Sequence, residues 1–364
     1  MRRWKLLPRP HSRRHPQTHT LRQLTKFGKP KLRLSQWFKA FRSVGWKAEV
    51  KHVKDLAVDD FQNYSLVHLN ACGTNLNLIK EVKDAIAGSS TKLIVNMDYP
   101  LETFEPAFNN PWFFAKSLMM ADFIFAQEPS QQAFLTYLLK RTTVPGLGNR
   151  FYGKEDFKVP LVPHPCQTGE MKKLFVPYEE RNDGLVFVYH RYAGGQIWIP
   201  GWVVQDLKLP TGEQIPLYAT NLVVETSAMD RSAAPMLLWD YSQSAQTVGN
   251  WDKWVYLLAH STLGFSYYTI HSWDRFICEA ASLGVPVVCT NLSYSGTQLF
   301  PNICHDVLDL SGMRNSFDRL VSDEDFYQRT TKFAFDKIEE YNWKASVDRL
   351  FEGMRAWGIE ADDL

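Results

Sequence analysis

From about residue 31 the chain alternates short, nearly continuous apolar runs with stretches whose apolar residues recur every three or four positions. SLVHLN (65–70), KLIVNM (92–97) and DFIFAQ (122–127) predict strands covered on both faces, because such strands read as unbroken hydrophobics. Between them, Leu34, Trp37, Phe38 and Phe41 fall at helical spacing within 32–46, and the short strand AEV follows. Further helices are predicted over 76–87 and from Ser130. This alternation marks an α/β fold with parallel sheets.

A stretch from Thr142 to Pro165, rich in proline and glycine and without periodicity, suits a linker or a domain crossing. The alternation then resumes. LVFVY (185–189), the apolar stretch around Leu222–Val224, MLLWDY (236–241), LGFSYY (263–268) and VPVVCT (285–290) predict strands. Helices are predicted at Trp251–His260, Trp273–Leu283, Asp323–Tyr341 and Ala345–Trp357. Two α/β halves in tandem leave a cleft between them, a common place for a ligand.

Length and composition narrow the class. At 364 residues, with 45% hydrophobic and 22% charged residues, the chain has room for two buried cores, and no apolar run reaches the span of a membrane helix. Five cysteines at 72, 166, 278, 289 and 304 form no CxxC pair, which argues against a disulfide scaffold or a structural zinc site and makes a cytoplasmic location the default. Charge is sorted along the chain: the first 48 residues hold 14 Lys+Arg and no acid, while the rest carries 27 bases against 39 acids. A basic leader on an acidic body usually meets a polyanion. Pro8, Pro10 and Pro16 forbid a continuous amphipathic helix there, so an extended arm is expected, with Arg2, Arg3, Arg9, Arg13 and Arg14 placed to track nucleic-acid phosphates. A solvated tail without a partner is the bland alternative.

The most specific stretch is HSWDRFICEAASLGVPVVCTN (271–291), in which Glu279, Ala280, Gly284, Pro286 and Val287 occur in sequence. It resembles the donor-binding motif of the GT-B glycosyltransferases of the large family 4 group. The resemblance implies two Rossmann-like domains facing each other across a cleft, here with a basic N-terminal arm. It extends at lower specificity to YSLVHLN, KLIVNMDYP, ADFIFAQEPSQQAF, VPLVPHP, LVFVYHRYAGG and the terminal YNWKASVDRLFEGM. The implied division is an arm over 1–20, an acceptor-side domain over 21–165, a nucleotide-sugar-binding domain over 166–340 and a closing helix in 341–364 that packs back on the first domain.

By that resemblance Glu279 accepts hydrogen bonds from the ribose hydroxyls of a nucleotide sugar, since a carboxylate offers about four lone-pair sites. Arg191 and the backbone of Ser293, Tyr294, Ser295, Gly296 and Thr297 meet the departing phosphate, the latter if that loop opens a helix. His271 or Asp274 positions the sugar, and Asp98, after the KLIVNM strand, orients the acceptor or helps take its proton. The implied enzyme is a metal-independent, retaining hexosyl- or pentosyltransferase whose nucleotide sugar is a co-substrate, with no cofactor. The sequence departs from the family at three places: Gln196 stands where the family has a lysine, His271 where it has its first glutamate, and Met97 where it has a histidine before the aspartate. Gly28 is all that remains of the glycine-rich loop after the first strand. For the acceptor, the basic arm favours DNA carrying a hydroxylated base, as in phage DNA glycosyltransferases. The alternatives are a lipid or envelope glycan at an anionic membrane surface, and a catalytically inactive GT-B binding module, which Gln196 and His271 motivate.

Overall fold

The computed structural model describes residues 20–25, 36–52, 58–71, 76–97, 110–143, 151–189, 198–204, 206–220, 236–239 and 250–360. The N-terminal lobe runs β1 (Thr20–Thr25), α1 (Gln36–Ser43), β2 (Lys47–His52), β3 (Leu66–Ala71), α2 (Asn77–Ala85), β4 (Lys92–Met97), α3 (Pro111–Met119), β5 (Phe123–Phe125) and α4 (Pro129–Arg141). Its strands form one parallel sheet in the order β2-β1-β3-β4-β5. The C-terminal lobe runs α5 (Thr168–Lys172), β6 (Asn182–Tyr189), α6 (Trp198–Val204), β7 (Leu217–Thr220), β8 (Met236–Trp239), α7 (Asn250–His260) and β9 (Ser261–Tyr267). It continues through α8 (Arg275–Ser282), β10 (Val287–Thr290), α9 (Tyr294–Leu299), β11 (Cys304–His305), α10 (Leu310–Ser322), α11 (Glu324–Lys337) and α12 (Trp343–Ala356). These strands form a second parallel sheet, ordered β11-β10-β9-β6-β7-β8. The α/β alternation with parallel sheets is therefore as expected.

Several elements differ from the sequence expectation. β1, with two leucines in TLRQLT, lies before residue 31 and yet is an inner strand bonded to both β2 and β3. Its first residue, Thr20, falls within the stretch read as arm. The helices α3, α6 and α10 were not anticipated, and the helix expected over Asp323–Tyr341 is α11 with Asp323 as its N-cap, followed by a 3-10 turn over Ile338–Tyr341. The strand expected around Leu222–Val224 lies outside the described residues; β7 precedes it.

Three hydrophobic clusters hold the lobes. One fills the C-terminal lobe around Phe265, Val287 and Phe317. The other two lie on opposite faces of the N-terminal sheet, one around Leu69, Leu93 and Ile124, the other around Trp37, Phe41, Leu66 and Phe125. That last cluster includes Val347, Leu350 and Met354 of α12. These residues fall at helical spacing, so α12 presents one apolar stripe to the N-terminal sheet although it follows the C-terminal lobe in sequence. The chain thus passes between lobes twice, side by side: Cys166 and Asn342 pair as a parallel bridge, and the Cys166 amide donates to the Tyr341 carbonyl at 2.7 Å. Asn342 starts α12 by accepting from the Ala345 amide at 2.8 Å. Among the described residues no helix is long and apolar enough to cross a membrane.

Candidate functional site

The site grows from the turn between β9 and α8. In parallel sheets the loops after the strands' carboxyl ends face the ligand crevice, and this turn is one of them. Asp274 is the N-cap of α8. Its Oδ1 accepts from the Phe276 amide at 2.9 Å, and its other oxygen accepts from the Ser266 hydroxyl on β9. The side chain is 2% exposed. Burial pushes its carboxyl up to about 6, against the opposing pull of the Ser266 and Phe276 hydrogen bonds.

The helix then carries Arg275, Cys278, Glu279 and Ser282 on one face, one turn apart. That face lines a crevice whose other wall is Gln36 of α1 together with Pro165, Cys166, Gln167 and Met171 of the connector and α5. Glu279 therefore sits at the junction of the lobes, with its side chain 16% exposed. Its Oε2 accepts from the Trp254 indole N–H at 3.0 Å, and its Oε1 lies 3.5 Å from Arg275 Nη2. Across the crevice, Lys39 of α1 donates to Gln167 Oε1 at 3.0 Å, and Trp343 donates its indole N–H to Gln36 Oε1 at 3.0 Å. Burial and the neighbouring Arg275 both lower the Lys39 pKa, burial more. Next to Glu279, burial and the nearby Cys166 thiol raise the Cys278 thiol well above its ordinary value.

α8 stops where the sequence placed a tight turn. Gly284 has φ +70°, and a Cβ there would meet Phe175 Cε2 at 2.6 Å. The turn is pinned by buried Arg181, which donates to the Gly284 carbonyl at 2.6 Å and the Leu283 carbonyl at 3.1 Å.

The structure knits the His271–Asp274 loop to the Ser293–Thr297 segment. The Ser272 amide donates to the Leu292 carbonyl at 3.0 Å, and Ser295 Oγ donates to the Asp274 carbonyl at 2.9 Å. Ser293 is the N-cap of α9, so the segment does open a helix. Three of the amides within that helix, however, have partners inside the lobe: Tyr294 N–H donates to Ser272 O, Gly296 N–H to Ser293 Oγ and Thr297 N–H to Ser293 O. His271 is exposed at the start of the loop. Asp98, Arg191, Gln196, Gly28 and the arm arginines Arg2, Arg3, Arg9, Arg13 and Arg14 lie outside the described residues.

Sequence reasoning did not single out Gln36, Lys39, Gln167 or Trp254. Their place beside Glu279 depends on the docking of α1, α7 and the connector, for which no local spacing gives a signal.

No family model matches the sequence, and no curated protein matches it. Solved structures do. A trehalose-6-phosphate synthase superposes with a TM-score of 0.64 at 10% identity, covering 92% of this chain and 99% of that one. An alpha-glucosyltransferase in complex with UDP-glucose and DNA containing an abasic site gives 0.61 at 12% identity, over 92% of this chain and 98% of the other. A second, with UDP and a 13-mer DNA containing an HMU base, gives 0.63 at 11%, over 93% and 99%. At such low identity the likeness reports architecture, and the architecture is GT-B: two Rossmann-like lobes with a crevice between them.

Proposed function

We propose that the chain is a glycosyltransferase that moves a sugar from a nucleotide-activated donor to an acceptor hydroxyl. The observation that carries this reading is the position of Glu279: a largely buried carboxylate at the lobe junction, on the helix whose motif resembles the donor site of family 4 enzymes. Its carboxylate accepts from the Trp254 indole and lies near Arg275, and an ionised carboxylate is the acceptor chemistry that vicinal ribose hydroxyls call for. UDP-glucose is the first donor to test, because two of the superposable glucosyltransferase complexes hold UDP-glucose or UDP.

In this reading the C-terminal lobe binds the nucleotide and the N-terminal lobe receives the acceptor. Stabilising negative charge on the leaving diphosphate supplies the largest share of the acceleration, and proton removal from the acceptor a smaller one, typically 10²–10⁴-fold. Arg191 is a candidate for the first task and Asp98 for the second. Retention of anomeric configuration and independence of metal are what the resemblance to family 4 implies. For the acceptor, DNA with a hydroxylated base is favoured by the acid-free basic leader and by the fold shared with two glucosyltransferases seen with DNA. A base target has to be exposed in the groove or flipped from the stack.

The test is a thermal-shift panel of nucleoside diphosphates and their sugars, followed by transfer from the stabilising donor to DNA with hydroxymethylated pyrimidines. A ligand that binds only the folded state raises stability as RT ln(1 + [L]/Kd). Stabilisation by one nucleotide and incorporation of its sugar support the reading. A panel without any shift contradicts it, and donor binding without turnover on any acceptor or on water leaves the inactive binding module in its place.

A further inference from the structure

α3 presents exposed aromatic rings at one edge of the N-terminal lobe. Its first turn is firmly held: Pro111 opens the helix, Asn110 caps it by accepting from the Phe113 amide at 3.0 Å, and buried Phe114 stacks on Phe134 of α4. Trp112 and Phe113 nevertheless stay in solvent, 62% and 40% exposed. Lys116, one turn after Trp112, is exposed as well and makes no ion pair among the described residues. The fold places this group. The far end of α3 leads into β5, where the Asp122 amide donates to the Leu93 carbonyl at 2.9 Å, so that end lies at the amino ends of β4 and β5. Nine helical residues span about 13 Å, which puts Trp112 toward the carboxyl ends of those strands. In parallel sheets that edge faces the ligand crevice, and Asp98, the candidate for taking the acceptor's proton, follows β4 in sequence.

We propose that Trp112 and Phe113 form a stacking platform for a nucleobase of the DNA acceptor, with Lys116 on the adjoining phosphate. The identity of the partner rests on the DNA-acceptor reading above. A flat ring held in water beside a cation matches a nucleic-acid strand, since the ring stacks on a base while the ammonium meets a phosphate. The acid-free basic leader complements the same polyanion. Presenting a base to a transferase means unstacking it, and a new ring to stack on offsets part of that cost.

The experiment measures binding of the full chain to a labelled single-stranded oligodeoxynucleotide, and to the same strand built from abasic sites, by fluorescence anisotropy at several salt concentrations. The proteins are wild type, Trp112→Ala, Trp112→Phe and Lys116→Gln, with melting temperatures confirming that each variant folds. Trp112→Ala is expected to weaken the base-bearing strand by about tenfold and leave the abasic strand unchanged, while Trp112→Phe keeps most of the affinity. Lys116→Gln is expected to weaken both strands alike and to lower the salt slope by about 0.7. Equal binding of the base-bearing strand by wild type and Trp112→Ala overturns the platform and leaves the DNA acceptor standing. A Trp112→Ala change in sedimentation with concentration, without a change in DNA affinity, also overturns it and makes the rings a self-association face. If wild type binds neither strand, the DNA-acceptor reading falls and the platform falls with it.

Discussion

Replacing Asp274 by asparagine isolates what a carboxylate costs when it is 2% exposed at a helix N-cap. Its ordinary pKa of 3.8 rises to about 6 in the fold because burial disfavours the charged form. Between those two values the folded chain holds a proton that the unfolded chain has released, so stability falls as pH rises through that window. A gap of about two units at 1.36 kcal/mol each makes the loss about 3 kcal/mol, complete by roughly pH 7. Asparagine keeps an acceptor for the Phe276 amide and can donate to the Ser266 hydroxyl, yet does not titrate. Urea unfolding of both proteins at pH 4, 5, 6 and 7 reads the difference directly, since every other titrating group cancels in the comparison. The Asp274→Asn variant gains on wild type by about 2 kcal/mol from pH 4 to pH 7, the rest of the change falling below pH 4. A stability difference that stays constant over this range would refute the reasoning, because it would mean that Asp274 titrates normally.

Gly284→Ala combines a left-handed φ of +70° with a Cβ only 2.6 Å from the Phe175 ring, so it should lose at least 1–2 kcal/mol in denaturant unfolding; an unchanged midpoint would mean the turn relaxes freely. Leu350→Ala removes an α12 side chain buried against the N-terminal sheet and should cost about 2–5 kcal/mol. That loss should show in the melting of the N-terminal lobe, tracked by amide exchange in β3 and β4, and unaltered protection there would mean that α12 does not hold that face.

How much could be read from the chain follows from how local each feature is. The α8 region was legible because its determinants lie within a dozen residues: an N-capping aspartate, a short helix, a glycine at the C-terminal stop and a buried strand after it. The flat apolar runs of β3, β4 and β5 were legible for the same reason. β1 was not, since only Leu21 and Leu24 of its six residues are apolar and its inner position comes from pairing with β2 and β3. α10 hides behind a glycine, three serines and scattered charges, with Met313, Phe317 and Leu320 as its buried stripe. Asp274 was read as a contact for the sugar, and the structure commits its carboxylate to a helix cap inside the lobe, a role its sequence position also permits. Lys39 escaped notice because its partner Gln167 is 128 residues away, and nothing in QWFKAFRS distinguishes a lysine bonded to the connector from a solvated one.

The role of Glu279 is tested most directly by titrating UDP-glucose, or the nucleotide sugar that stabilises the chain most, into wild type and Glu279→Gln. Loss of two hydroxyl hydrogen bonds to a charged acceptor should weaken binding by about tenfold or more, with the melting temperature of the variant close to that of wild type. Equal affinities for the two proteins would contradict the account, because the nucleoside would then be held somewhere other than the lobe junction.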